Sequence, residues 1–270
     1  MAQNRNPAVD IAKYLAALLV IGIHTAIFSD LNNTLYFVVV QIICRVAVPF
    51  FAVCTGYYLG NKLSFGDRLE NTNSNLNVFI HQWKKAFILY FIWTCLYLVF
   101  SIPSWVQTGY FSPIAFVDYA FATMTSGSHY HLWYLLYLLY SLPLVYMLLR
   151  LVSAKWLLIL VCWAIAIFTY TYKSFLPVGI LPSLGPLSHF SMFPILPPLI
   201  LLGVQVSRER RAGWRYAIGF IISLGFLTAE TFTLRHLGIE KVSFIICTLP
   251  TAYFLFHLTL ELAKTRNVRK

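Results

Sequence analysis

Apolar residues in this chain gather in runs of about twenty, separated by short segments that hold most of the Lys and Arg. A run of that length is what an α-helix needs to cross the hydrocarbon core of a bilayer. The pattern predicts spans near 9–29, 35–60, 86–102, 131–150, 155–172, 190–206, 216–235 and 242–262. Residues 112–125 are too short and polar for a crossing and predict an interfacial or re-entrant helix. The first run follows a single Arg and lacks a small-residue cleavage site, so it reads as a retained helix and not as a signal peptide. The expected fold class is all-α: a polytopic membrane helical bundle of about eight transmembrane helices plus the short helix, forming one membrane domain over residues 1–270.

Composition narrows this further. With 59% hydrophobic and 11% charged residues, the chain has too little polar surface to cover a soluble globule. The net charge of +11 does not form one basic stripe, which argues against nucleic acid as a partner. Topology accounts for it. Arg5, Lys62, Arg68, Lys84, Lys85, Arg150, Lys155, Arg208, Arg210, Arg211, Arg215, Lys264, Arg266, Arg269 and Lys270 fall on one side of the expected membrane, and only Lys173, Arg235 and Lys241 on the other. By the positive-inside rule the N-terminus is cytoplasmic. All five cysteines lie in expected spans without paired or metal-type spacing, so they read as small buried hydrophobes, and neither a disulfide nor a metal is expected.

A few polar residues interrupt the apolar runs, where desolvation makes them costly and points to function. His24 lies about five residues from the outer end of the first span and Glu230 about five from the outer end of the seventh, each roughly 7 Å deep. Arg45 is somewhat deeper in the second span, and His131 enters the fourth from outside. Depth alone suggests that these four converge in an outward-biased cavity. At the other end of the first span, Asp10 and Lys13 share a helical face and can pair, while Lys84 and Lys85 approach the same leaflet. Such a basic mouth suits a phosphate-rich donor; anchoring at lipid headgroups is the plainer reading for Lys84 and Lys85.

The side-chain chemistry divides the roles. A neutral His24 can take a proton from an acceptor hydroxyl near neutral pH, or simply bond to a neighbouring helix. Arg45 can hold a carboxylate or phosphate, or stabilise an oxyanion; an ion pair with Glu230 is the structural alternative. Trp133 and Tyr134, after His131, either line a site or belong to an interfacial aromatic belt. Pro194, Pro197 and Pro198 are expected to disturb the sixth span. The same burial pattern also fits a transporter-like domain for a small polar solute such as an amino acid, with Arg45 and Glu230 as a zwitterion site and His24 as a proton relay.

Three motifs carry a family resemblance. Asp10-(two)-Lys13-(ten)-His24, Arg45-Val-Ala-Val-Pro-Phe-Phe-Ala-Val-Cys-Thr-Gly56 and His131-Leu-Trp-Tyr-Leu resemble, in this order, the signatures of the acyltransferase type 3 family. Lys13 stands where Arg is usual, keeping the charge without the planar fork. Glu230 resembles an acidic site of a branch that includes the membrane half of glycopeptide-resistance serine racemases. The resemblance covers residues 7–262 and implies an O-acyltransferase: an acyl group, acetyl in the first instance, passes from cytoplasmic acyl-CoA to a hydroxyl of a cell-surface or lipid-linked glycan. It implies His24 as base, Arg45 and His131 as orienting groups, and Lys13, Lys84 and Lys85 as attractors of the donor phosphates. Acyl-CoA is then a substrate and no cofactor is held. The family's distribution implies a bacterial plasma membrane, and its usual ten or so spans make this chain a C-terminally short relative.

Overall fold

The computed structural model describes residues 6–25, 33–153, 155–175, 193–209, 213–237 and 246–268, with side chains described outside 167–175 and 263–268. Among these residues α1 spans Pro7–His24 and α2 Asn33–Val38. α2 runs through a π-helical turn, Val39–Ile43, and a 3-10 turn, Cys44–Val46, into α3, Ala47–Gly60. α4 (Asn73–Gln107), α5 (Pro113–Thr125), α6 (Trp133–Leu151) and α7 (Lys155–Phe175) follow. A 3-10 turn, Phe193–Ile195, leads into α8 (Leu196–Arg208), and α9 (Arg215–His236) and α10 (Thr248–Val268) complete the order.

Each expected span overlaps helical structure, the one at 35–60 covering α2, both irregular turns and α3; residues 26–29, 190–192 and 242–245 of those spans lie outside the described residues. Five stretches, Pro7–His24, Asn33–Gly60, Asn73–Gln107, Trp133–Leu151 and Arg215–His236, are long and apolar enough to cross a membrane. The short helix at 112–125 is present as α5. Pro197 and Pro198 fall in the first turn of α8, where their missing N–H groups cost no helical bond. α4 is longer than expected because its polar first turns also pack: Thr72 caps it by accepting from Asn75 N at 3.2 Å, and Phe79 and Trp83 dock onto α6.

Within the one domain read from the sequence, the structure distinguishes two compact units, residues 1–61 with 199–270 and residues 62–198. In the first, a few contacts set the register. Lys13 lies 5.3 Å over the Tyr58 ring while α1 also reaches the irregular turns at residues 39–46, so α1 runs antiparallel to the Asn33–Gly60 span. α3 and α8 are parallel and meet backbone to backbone: a Cβ on Gly56 would stand 2.0 Å from Ile200 O, and one on Gly203 2.0 Å from Val53 O. Small residues of this kind let membrane helices approach closely enough for dispersion to hold them where no hydrophobic effect operates. α9 and α10 form an antiparallel hairpin, with Glu230 meeting the residues just before α10 and Tyr216 stacked 4.2 Å from His257 at the opposite end. Phe256 of α10 touches Phe50 (5.5 Å) and Tyr57 (5.1 Å) of α3.

In the second unit α4 and α6 pack antiparallel, fixed by Trp83 Nε1 donating to Leu139 O (3.1 Å) and by the Phe79–Tyr146 ring contact (5.0 Å). α5 lies on α4, with Tyr119 donating to Thr94 O at 2.6 Å. The last carbonyls of a helix lack intrahelical donors. Those of α5 are met by tyrosines: Thr123 O accepts from Tyr90 (2.5 Å), Met124 O from Tyr140 (2.6 Å) and Thr125 O from Tyr137 (3.2 Å). Gly127 then reverses the chain at φ +98°, a conformation that strains any residue with a Cβ. This delivers residues 129–132 to the start of α6. At the other end of the unit, fully buried Asn75 clamps the loop after α3, accepting from Ser64 N (2.9 Å) and donating to Ser64 O (2.9 Å) and Glu70 O (2.8 Å).

Candidate functional site

The first unit has two polar ends. At one, Lys13 Nζ binds Asp10 Oδ1 at 2.6 Å, the pairing expected of neighbours three residues apart on a helix. Tyr58 supplies a ring face to the same ammonium. The eleven residues from Lys13 to His24 make about 16 Å of helix, and the thirteen from Tyr58 back to Arg45 about 20 Å. With α1 and this span antiparallel, His24 and Arg45 come to one level, within about a helical turn. His24 occupies the last turn of α1, which ends there with Thr25 N donating to Ile21 O (2.9 Å). The sequence placed it about five residues inside its span.

Arg45 owes its setting to two departures from α-helical bonding. Cys44 N donates to Val39 O, five residues back, and Ala47 N to Cys44 O, three residues back. The first widens the helix and the second tightens it, which turns Arg45 relative to the face it would occupy in a regular helix. The 3-10 turn that carries it packs against α1 and α10. Arg45 is half-buried with its Nη1 enclosed.

Glu230 belongs to the same end. The Phe37–Phe232 contact (5.3 Å) puts it about 9 Å nearer the end than Arg45 by helical rise. Its two carboxylate oxygens accept from Ile246 N (2.8 Å) and Cys247 N (2.9 Å), so it caps the entry to α10, where a negative charge also complements the helix dipole. Thus three of the four residues expected to converge by depth share one end of this unit.

His131 lies in the second unit, half-buried, just before α6. Its Nδ1 is 2.8 Å from Nδ1 of His129, with the two rings stacked 4.8 Å apart at 7°. Trp133 and Tyr134 occupy the first turn of α6, half-buried, with Trp133 against Tyr137 at 6.0 Å. Lys84 and Lys85 are exposed on α4, about three turns after its start.

One polar cluster escaped the sequence reading. At the Lys13 end, Glu209 accepts from Tyr253 (2.7 Å) and Gln205 Nε2 (3.3 Å) and lies 3.3 Å from Nε2 of His257, which is 2% exposed and stacked on Tyr216. His257 carries the signal that singled out His24, an imidazole inside an apolar run. Glu209 was hidden among the arginines that surround it. Among the described residues, no three His, Cys, Asp or Glu side chains gather as a metal would need.

The profile of a family described as an acyltransferase domain matches residues 6–269. An amino-acid racemase of Enterococcus faecalis is 28% identical over 96% of this chain and 36% of its own length. A serine/alanine racemase of Enterococcus gallinarum is 28% identical over 95% of the chain and 37% of its own length. The chain therefore spans little more than a third of the curated relatives it matches most fully. No solved structure matches it. Matched almost from end to end and folded into apolar helices of membrane-crossing length, the chain belongs to the acyltransferase type 3 family, a family of membrane proteins.

Proposed function

We propose that the protein carries an acyl group, acetyl in the simplest case, from cytoplasmic acyl-CoA to a hydroxyl of a cell-surface or lipid-linked glycan, in a bacterial plasma membrane with its N-terminus inside. One observation supports this above others: Lys13 and the His24–Arg45 level lie about 16 Å apart in a single packed unit. A donor with phosphates at one end and a thioester at the end of a long arm fits that separation. Lys13 attracts the phosphates, a task the resemblance also gives Lys84 and Lys85 of α4.

At the other end His24 takes the acceptor's hydroxyl proton as the oxygen attacks the thioester carbon. The new C–O bond places negative charge on the carbonyl oxygen, which Arg45 stabilises. The C–S bond then breaks, and the proton held on His24 passes to the departing thiolate. Glu230 shapes the acceptor end by holding α10; the resemblance gives His131 an orienting role, and Trp133 and Tyr134 carry ring faces of the kind that suit a sugar.

The relatives' names favour one other reading, in which the occupant of the His24 end is a small zwitterion such as an amino acid. Against it, both Glu230 oxygens are already engaged by backbone donors. Incubating the protein in lipid with acetyl-labelled acetyl-CoA and glycan extracts separates the two. Label on glycan with release of free CoA is expected; uptake of amino acid without CoA release would establish the other reading.

A further inference from the structure

Arg235 lies in the last turn of α9, half-buried, where the helix dipole favours a cation. The dipole accounts for its charge but not for its hydrogen-bond donors. Among the described residues the salt bridges join Asp10 to Lys13 and Glu209 to His257, and no carboxylate pairs with Arg235. Glu230, five residues back on the same helix, has its two oxygens engaged by the backbone N–H groups of Ile246 and Cys247. What Arg235 does touch is an aromatic face. Its guanidinium carbon stands 4.3 Å from the centroid of Phe37, a ring 6% exposed and braced by Phe232 at 5.3 Å. A ring face attracts the charge but offers no oxygen, so the planar fork of N–H donors still calls for acceptors.

Arg235 shares an end of its unit with His24, Arg45 and Glu230. Phe37 precedes Arg45 by eight residues in the same apolar span, about 12 Å by helical rise toward that end. The guanidinium, lying over Phe37, therefore stands farther out than either Arg45 or Glu230. On the orientation proposed above this is the outer face, where the positive-inside bias that accounts for most of the Lys and Arg does not account for an arginine. A fork of this kind matches the paired oxygens of a phosphate. A glycan linked to lipid carries its phosphate between sugar and lipid, at headgroup depth; a free glycan has none there.

We infer that Arg235, set on Phe37, binds the phosphate of a lipid-linked acceptor and so determines acceptor specificity, selecting a lipid-linked glycan over a free one. This rests on the reading of the His24 end as the acceptor site. The interval of about 12 Å between the Phe37 and Arg45 levels leaves room for a short glycan, from the phosphate back to the reacting hydroxyl. Arg235 touches the acceptor away from the reacting atoms. A bulk phospholipid headgroup offers the same oxyanion, and the test separates the two sources.

That test is equilibrium binding to the full-length protein in dodecyl maltoside, a detergent without phosphate. The probes are a farnesyl-diphosphate-linked disaccharide and its phosphate-free farnesyl counterpart. The wild type is expected to bind the diphosphate probe at least about tenfold more tightly, the worth of a charge-assisted contact. Arg235→Gln should abolish this preference, with the phosphate-free probe bound as before and thermal unfolding unchanged. Equal binding of the two probes by the wild type, or a preference that survives Arg235→Gln, would overturn the inference. So would phosphatidylglycerol that displaces the diphosphate probe at equal concentration, which would make Arg235 a contact for bulk headgroups. A preference that depends on Arg235, without transfer of label from acetyl-CoA to the bound probe, would count against acyl transfer and leave the phosphate site standing.

Discussion

Arg45 and Lys13 are both basic residues set within apolar runs, and their roles in the proposed reaction have separable kinetic signatures. Arg45→Lys keeps the charge but loses the fork that follows a developing oxyanion. Its kcat is expected to fall by about 10²–10³ with donor KM nearly constant. Lys13→Ala should instead weaken CoA binding by about tenfold, the worth of one charge-assisted phosphate contact, and leave kcat nearly intact. Titration calorimetry alongside steady-state kinetics reads both. These two residues, with His24, were legible because an ionisable group inside an apolar run is costly to desolvate and stands out against its neighbours. His257 met the same criterion, but its partner Glu209 lies in a stretch that looks like an ordinary charged loop. The hydrogen-bonded His129–His131 pair depends on a backbone reversal at Gly127 that no periodicity reveals.

The elements hold these side chains through close backbone approach and buried polar clamps, and each device has a test. Gly203→Ala forces α3 and α8 apart where no flexible side chain can yield, and should destabilise the protein by about 1–3 kcal/mol. Gly225→Ala, in α9 with nothing near the added Cβ, should be neutral or stabilising by up to about 1 kcal/mol. Thermal unfolding in one detergent compares the two directly. Asn75→Ala strands buried donors and acceptors of the loop after α3 and should cost about 1–3 kcal/mol, loosening the loop so that trypsin cuts faster at Lys62 and Arg68, which are already exposed. The helices themselves were readable from apolar runs. Their irregular bonding was not: Val38 to Ile43 is as apolar as any regular helix, so the π-turn that sets Arg45 leaves no mark in composition. α4 exceeded its expected length because hydropathy misses a polar turn that is stabilised by Thr72 and Trp83.

For the molecule as a whole, the expected all-α membrane fold and the order of its helices follow from alternation between apolar runs and basic segments. The division into two units does not, since contact between distant segments such as α3 and α8 has no local signature. The uneven distribution of Lys and Arg makes the sidedness testable. In a background without native cysteines, Lys62→Cys should react with a membrane-impermeant maleimide only after the cells are opened, and Thr108→Cys, just beyond α4, in intact cells. The opposite pattern would invert the membrane orientation and detach the Lys13 end from cytoplasmic donor. Acyl transfer with His24 as base stands or falls on the release of free CoA from acetyl-CoA by lipid-reconstituted wild type and His24→Ala, with CoA binding measured on both. The expected result is release by the wild type and a loss of about 10²–10⁴ in the variant with CoA binding retained. Equal release by both would contradict His24 as the base.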